Sequence, residues 1–138
     1  MSPATSRRMA AVRSRDTGPE LQLRKALHSR GLRYRVHPRN VPGRPDLVNR
    51  RRKIAVFVDG DFWHGNPEVW LRRGMASMHE QFPAEKREYW TRKLRRNAER
   101  DREVNAMLVD MGWQVIRVWE SNVRADAEAV ANTIASAW

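Results

Sequence analysis

Three aspartates at the ends of two predicted strands have the residue type and spacing best suited to chemistry in this sequence. Asp46 begins one strand directly after Pro45, and Asp59 and Asp61 follow the next. If the two strands pair as a hairpin, the carboxylates converge at one end of a sheet. With a backbone carbonyl they would form a site of hard oxygen ligands suited to Mg²⁺, which can activate water and stabilise a phosphate under attack. The plainer alternative is that Pro-Asp is a turn and Asp-Gly a strand end.

Two bulky aromatic residues and a histidine come next, as Phe62, Trp63 and His64. Adjacent large rings fit poorly into one small core, and if exposed they would form a wedge for insertion between base pairs. His64 could act as a general acid or base, or could orient water. A lone histidine is usually structural, but this one lies beside the aspartates in the expected geometry.

The longest predicted helix, residues 85–111, has one face that is apolar at both ends and polar in the middle. That face comprises Trp90, Leu94, Asn97, Asp101, Val104, Leu108 and Met111. Because burying Asn97 and Asp101 without partners would be costly, they either line a cleft or form a buried polar network. We favour the cleft, which Lys93 would also reach.

An α/β framework of order α-β-β-β-α-β-α must position these groups. Thr17 is expected to cap the first helix, which runs to about residue 30, with Glu20 completing a capping box and facing the buried side. The predicted strands span residues 32–36, 46–49, 54–58 and 113–119, and a closing helix spans 126–137.

The absence of internal repeats and of an internal linker indicates one α/β domain over residues 1–138. The unbroken apolar run 54–58 is typical of a strand buried on both faces. Residues 62–83 lack clear periodicity, which predicts a long loop with a short helical piece. We expect a mixed sheet of about four strands flanked by helices.

The composition indicates a folded protein with a polyanionic partner. The chain has 138 residues, a formal net charge of +11 and a pI of about 11.4, with 41% hydrophobic residues and 6 Trp. The charge predicts binding to nucleic acid, and the apolar content predicts a core rather than a basic tail. Residues 1–16 form a basic arm that includes Arg13, and this arm either tracks DNA or is a solvated terminus.

The absence of cysteine excludes disulfides, thiolate zinc sites and a cysteine nucleophile. Neither a signal peptide nor a run of roughly 20 apolar residues that could span a membrane is present. We therefore expect a cytoplasmic, nucleoid-associated protein. It is expected to be a monomer, because no predicted helix has a spare apolar face.

These motifs, in this order, resemble the very-short-patch repair (Vsr) DNA mismatch endonuclease family. The matching stretches are residues 9–20 (MAAVRSRDTGPE), 41–47 (VPGRPDL), 55–64 (AVFVDGDFWH), 89–101 (YWTRKLRRNAERD) and 112–120 (GWQVIRVWE). The resemblance implies a restriction-endonuclease-like fold with a core of the PD-(D/E)XK type. It also implies Mg²⁺-dependent nicking beside the thymine of a T:G mismatch in double-stranded DNA, the product of 5-methylcytosine deamination.

The same resemblance implies roles for particular residues. Asp46 would bind the metal with the backbone carbonyl of Val58, while His64 and Glu20 would assist the attack. The residues implied in DNA binding are Met9 of the arm and the intercalating Phe62, Trp63 and Trp90. Asn97 and Asp101 match family positions to which we assign support of the cleft, where Lys93 and Asn97 would contact DNA.

Two positions depart from the best-known family members. Asp59 stands where they carry histidine, and is expected to be either a metal ligand or a group that tunes His64. Asp61 stands where they carry cysteine. Their structural zinc site, rich in His and Cys, follows the FWH motif and ends after the strand-end Trp-Glu. Here those regions read 65–68 (GNPE) and 120–121 (ES) and the chain has no cysteine, so we predict that this zinc is absent. Residues 70–82 also form a longer stretch than is usual.

Other functions stay open at this point. A restriction-type nuclease, or one acting on modified or branched DNA, would use the same fold, and a repair protein could be a partner. A non-catalytic DNA-binding module would explain the charge but not the acidic group, because carboxylates repel phosphates unless a cation intervenes. A ribosomal-type RNA binder would explain neither that group nor the polar break in the long helix.

Overall fold

A mixed sheet with helices on both faces forms the framework of this computed structural model, which describes residues 16–138. The strands are β1 (Arg35–Val36), β2 (Leu47–Asn49), β3 (Ile54–Asp59) and β4 (Gln114–Trp119). The helices are α1 (Gly18–Ser29), α2 (Glu68–Leu71), the 3₁₀ helix Met78–Gln81, α3 (Ala84–Asp110), α4 (Glu120–Ala125) and α5 (Ala127–Ala135).

Helix α1 begins where the sequence predicts. The hydroxyl of Thr17 accepts a hydrogen bond from the backbone N–H of Glu20 at 3.3 Å. The carboxylate of Glu20, however, accepts from the N–H of Asp16 at 3.0 Å, so the expected capping box is displaced by one residue. Leu23 and Leu27 are fully buried on the inner face of the helix.

The sheet has the order β1-β2-β3-β4. Strands β1, β2 and β3 are antiparallel neighbours, whereas β3 and β4 are parallel. The prediction that β3 is buried throughout is confirmed, because all six of its residues are buried. The first strand is only two residues long, against the predicted 32–36. Asp46 precedes β2 but extends its ladder, donating its N–H to the Val56 carbonyl at 2.9 Å.

The two faces of β3 pack against different helices. Ile54, Val56 and Val58 belong to a core formed with α1, α4 and α5. Ala55 and Phe57 belong to a second core that includes residues of α3. Because side chains alternate along a strand, Asp59 continues the face of Phe57, toward α3.

The segment after β3 contains α2 and the 3₁₀ helix, in agreement with the predicted loop and short helical piece. Helix α3 follows the predicted span closely, and Gly112 comes directly after it with a φ of +88°. The predicted single closing helix is wrong in one respect, because α4 precedes it. Asp126 separates the two and caps α5 by accepting from the N–H of Ala129 at 3.0 Å. Within residues 16–138 no helix is long and apolar enough to cross a membrane.

Candidate active site

Asp46 lies at the end of the sheet where β2 begins and β3 ends. Its carboxylate accepts a hydrogen bond from the N–H of Val58 at 2.6 Å. Burial raises the pKa of Asp46 to about 8, and the neighbouring Glu20 carboxylate adds to that rise, while the Val58 N–H opposes it. Asp46 forms no ion pair with any other described residue. The described residues therefore compensate the negative charge of Asp46 poorly.

Glu20 reaches this region from α1, and its carboxylate is almost completely buried. Arg24, one turn further along the helix, donates to Glu20 at 3.0 Å and to Asp16 at 2.7 Å. The same nitrogen of Arg24 lies 2.9 Å from His37 Nε2. Ligand atoms of Asp16, Glu20 and His37 lie within 4.8 Å of one another, a spacing that could suit a metal. Because the Arg24 guanidinium already contacts Asp16, Glu20 and His37, these side chains have a cationic partner without a metal ion.

His64 belongs to a second polar group, on the α3 side of the sheet. Its Nδ1 lies 2.6 Å from a carboxylate oxygen of Asp101 and 3.8 Å from one of Asp59. A carboxylate oxygen accepts, so Nδ1 carries the proton and donates to Asp101. In the described part of the chain no group is hydrogen-bonded to Nε2. The ring is thus oriented by one nitrogen and can take up a proton on the other.

Arg117 of β4 supplies the positive charge of this second group. One guanidinium nitrogen donates to both carboxylate oxygens of Asp59 at 3.0 Å. A second nitrogen donates to Asn105 at 2.8 Å, and the guanidinium lies 4.0 Å from the ring centre of Phe57. Burial raises the pKa of Asp59, and the charges of His64 and Arg117 oppose that rise.

An aromatic cluster lies beside His64. It contains Phe62, Trp63, Phe82 and Trp90, whose neighbouring ring centres are 5.1 to 6.1 Å apart. Lys93 places its ammonium 5.4 Å from the ring centre of Trp63 and 5.5 Å from that of Trp90. Phe62, Trp63 and Trp90 are all partly exposed. The cluster therefore presents ring surface and a positive charge to the solvent.

A cavity of about 260 Å³ joins the aromatic cluster to His64. It is lined by Trp63, His64, Asn97, Arg100 and Asp101. Asn97 donates to the Trp63 carbonyl at 3.0 Å, and Asp101 accepts from His64. The polar middle of the α3 face thus lies along a cleft and is also hydrogen-bonded, so the two alternatives for Asn97 and Asp101 describe one arrangement.

Comparison with known proteins assigns the chain to a family. The family described as DNA mismatch endonuclease Vsr matches residues 2–72. Type II nicking enzyme V.NaeI of Lentzea aerocolonigenes is 42% identical, over 97% of this chain and 78% of that protein. DNA mismatch endonuclease Vsr of Escherichia coli (strain K12) is 36% identical, over 86% of this chain and 70% of that protein. The chain belongs to the Vsr family.

Membership in the Vsr family confirms the resemblance drawn from the motifs and the assignment to DNA endonucleases. The stretch that matches the Vsr family model contains Glu20, Asp46, Asp59 and His64. Asp101 lies outside that stretch, within the span of the longer alignment to V.NaeI. The side chains grouped by the fold thus come from both parts of the chain.

The expected convergence of the three aspartates holds only in part. Asp46 and Asp59 lie at the same end of the sheet, and the charge of Asp59 adds to the raised pKa of Asp46. Asp61 is bound elsewhere, because it accepts from the Ser121 hydroxyl at 2.5 Å, the Ser121 N–H at 3.0 Å and the Asn66 amide at 2.7 Å. Burial acts to raise the pKa of Asp61, but these hydrogen bonds outweigh it and lower that pKa.

Sequence reasoning missed Arg117 and Arg24, which form ion pairs with acidic side chains of this Vsr site. Arg117 left a signal, since it is the one charged residue in the otherwise apolar run 115–119. Arg24 left the weaker signal of following Glu20 by one helical turn. Met9 and Arg13, which were expected to contact DNA, lie outside the described residues.

Proposed function

We propose that this Vsr-family protein nicks one strand of double-stranded DNA at a T:G mismatch, with Mg²⁺ as cofactor, in repair of deaminated 5-methylcytosine. The observation that carries the proposal is the poorly compensated carboxylate of Asp46, with its pKa raised to about 8, at the same end of the sheet as Asp59, which lies 3.8 Å from the oriented His64. The names of the relatives, which include a mismatch endonuclease and a nicking enzyme, support the reaction and the substrate.

The residues around Asp46 fit a divalent cation. Its carboxylate is a hard oxygen donor, is largely withdrawn from water and has a second carboxylate, Glu20, close by. Asp46 and the backbone carbonyl of Val58 are the groups that we propose to hold Mg²⁺. A bound ion would supply a Lewis acid for the phosphate and lower the pKa of a coordinated water.

Asp59 has two proposed roles, and its contacts support the positioning of His64. Both of its oxygens are hydrogen-bonded to Arg117, and the pair lies beside the His64 ring. Asp59, His64 and Asp101 also lie within 4.8 Å of one another, which could suit a metal. The guanidinium of Arg117 already provides a cation there, so we place the metal at Asp46.

His64 is the proposed proton acceptor for the attacking water. Asp101 fixes the ring through Nδ1, which leaves Nε2 to take the proton. Glu20, held by Arg24, is proposed to orient the water or the phosphate from the α1 side. In this arrangement His64 is the base, and Asp101 sets its orientation without itself reacting.

Phe62, Trp63 and Trp90 are proposed to insert at the lesion. Their rings are partly exposed beside the cavity that reaches His64. Wedges of this kind unstack a base step at a cost of a few kcal/mol, which is lower where pairing is already weak. A mismatch therefore favours cleavage. Lys93 and Asn97 are proposed to contact the opened strand. The basic arm, which includes Met9 and Arg13, is proposed to contact the duplex.

Several finer features are part of the same proposal. The four-stranded sheet with helices on both faces is consistent with a restriction-endonuclease-like fold. A single copy acting in the cytoplasm at the nucleoid, with no structural zinc and with a repair protein as a partner, is the working arrangement that we propose.

A panel of labelled duplexes tests the proposed substrate. Each duplex shares one sequence and carries a T:G mismatch, the matched T:A pair, a modified cytosine or a branch. We expect a single nick on the T:G duplex at a rate well above that of the others. Equal cutting of the T:G and T:A duplexes would support a restriction-type nuclease, and preference for a branch or a modified base would replace the mismatch proposal. Binding without cutting of any duplex would indicate a DNA-binding module.

A further inference from the structure

A larger cavity than the active-site cleft lies between the first half of α3 and the 3₁₀ helix. Its volume is about 700 Å³, and four arginines line it, together with His79 and the buried Thr91. The arginines are Arg87, Arg92, Arg95 and Arg96. We call this cavity the arginine groove.

The arginine groove faces a different side of α3 from the cleft. At 3.6 residues per turn, Arg95 is about 140° around the helix from Trp90, which belongs to the aromatic cluster. Asn97 and Asp101, which line the cleft, lie within about 20° of Trp90 by the same geometry. Neither cleft residue lines the groove. The groove is therefore a separate surface.

The wall of the groove is held in place by hydrogen bonds. His79 Nδ1 lies 3.2 Å from the hydroxyl of Thr91, and its Nε2 lies 3.4 Å from a guanidinium nitrogen of Arg95. Arg87 donates to the carbonyl of Phe82 at 3.3 Å. The contacts of His79 join the 3₁₀ helix to α3 and so hold the two walls of the groove together.

Among the described residues, three of the four groove arginines lack an ion-pair partner. Arg92 is paired with Glu88 at 2.7 Å, and both side chains are exposed. Within residues 16–138, Arg87, Arg95 and Arg96 form no ion pair. Such a row of exposed guanidinium groups suits an extended polyanion, because each can donate two hydrogen bonds to a phosphate.

The length of the row also suits a nucleic-acid strand. Arg92, Arg95 and Arg96 lie within about 100° of one another around α3, and the helix rises about 6 Å from Arg92 to Arg96 at 1.5 Å per residue. Phosphates on one strand of duplex DNA recur about every 3.4 Å along its axis. The row thus spans roughly two phosphates.

We propose that the arginine groove binds the phosphate backbone of duplex DNA away from the nicked step. This inference rests on the proposed function, since it takes DNA as the substrate. The bound phosphates belong either to the flank of the substrate or to a second duplex. Insertion of aromatic wedges kinks DNA, and a kinked duplex wraps more protein surface, which would bring a flank toward the far side of α3.

Two carboxylates in the groove provide a test of opposite sign. Glu88 and Glu99 both line it, and each repels phosphate. Replacing Glu99 with glutamine should tighten binding of long DNA, whereas replacing arginines should weaken it.

The experiment compares a short duplex that only covers the cleft with one extended by two helical turns at each end. Kd is measured against salt in EDTA for wild type, Arg95→Gln/Arg96→Gln and Glu99→Gln. The charge-matched control is Arg51→Gln/Arg52→Gln, in the exposed turn at the end of the sheet opposite Asp46 and Asp59. On the long duplex we expect the double arginine variant to reduce the salt slope by about 2, since each phosphate contact contributes about 0.9.

The binding stoichiometry identifies the source of the phosphates. A loss confined to the long duplex indicates the flank. If wild type binds two short duplexes and the groove variant binds one, the second segment is a separate duplex. A groove variant that matches its control on both lengths and in stoichiometry overturns the proposal. Wild type that nicks the T:G duplex in that case retains the proposed function, whereas wild type that binds no DNA loses both.

Discussion

Two acidic groups meet near the end of β3, and they differ in how their charge is balanced. On the α3 side, Asp59 and Asp101 contact Arg117 and His64, so the protein supplies its own cations. On the α1 side, Arg24 compensates Glu20, but among residues 16–138 Asp46 receives only the N–H of Val58. The pKa of Asp46 accordingly rises to about 8.

This difference separates two tasks that a nuclease must perform. The group with its own cations can hold a histidine in one orientation without any added ion. The group around Asp46 lacks such a cation, so binding a metal ion would stabilise it, because an unpaired buried charge is costly. Proton transfer and metal binding are thus assigned to opposite sides of one strand.

The largest expected effect that sharpens the comparison is on the proton-transfer side. His64→Gln should reduce single-turnover nicking of the T:G duplex by about 10²- to 10⁴-fold, the usual contribution of a general base. DNA binding should be retained, because glutamine is similar in size to histidine and adds no charge. His28→Gln, at the exposed end of α1, is the control, and equal rates for the two variants would remove His64 from the mechanism.

Loss of Arg117 should have the next largest effect, on stability. Arg117→Met leaves Asp59 without its ion pair, and breaking a buried pair costs about 3 kcal/mol or more. Urea unfolding measures this change in the free energy of unfolding, with Arg51→Met as the exposed control. Adding Asp59→Asn should restore much of the loss. If the double variant is no more stable than Arg117→Met, the charge balance assigned to this group is wrong.

The raised pKa of Asp46 predicts a pH dependence of stability in metal-free buffer. Asp46 loses its proton near pH 8 in the folded chain and near its ordinary value of 3.8 when unfolded. Between these values the folded chain holds one more proton, so the free energy of unfolding falls as pH rises, by up to about 1.36 kcal/mol per pH unit.

Asp46→Asn removes that contribution. From pH 5 to pH 7 wild type should lose up to about 2.7 kcal/mol more than the variant. Mg²⁺ should restore stability to wild type and not to the variant. Parallel pH profiles for the two proteins would show that Asp46 is not the poorly compensated group.

The smallest expected effect concerns Asp61, which belongs to neither group. Ser121→Ala removes a hydrogen bond to its carboxylate, while the Ser121 N–H and Asn66 remain. We expect a loss of about 1 kcal/mol in the free energy of unfolding and an unchanged metal dependence of nicking. Ser136→Ala, near the end of the chain, serves as control. A change in metal dependence would show that Asp61 acts with Asp46.

Local pattern predicted the elements better than the partners of each side chain. The apolar run of β3 and the polar middle of α3 were readable because burial and helical period are recorded in adjacent residues. Asp46 and His64 stood out by type and spacing. Arg117 did not, because its contact with Asp59 depends on the parallel register of β3 and β4, 58 residues apart in sequence.

The remaining differences have similar physical causes. The pattern of residues 120–125 gave no sign of α4, since a six-residue helix has too little period of its own. The first strand is limited to Arg35–Val36, and Tyr34 just before it donates its hydroxyl to the Arg24 carbonyl of α1 at 3.0 Å. Helix α4 packs against α1, a contact that local propensity does not record.

Single-turnover nicking of the T:G duplex by wild type and Asp46→Asn, in Mg²⁺ and in EDTA, tests the division between metal and proton sites most directly. Asp110→Asn, at the exposed end of α3, is the control. We expect a nick by wild type and by the control only in Mg²⁺, and a loss of at least about 10³-fold in Asp46→Asn, because a bound metal supplies several kcal/mol of stabilisation. Cutting by wild type in EDTA, or undiminished cutting by Asp46→Asn in Mg²⁺, would contradict the assignment of the metal site to Asp46.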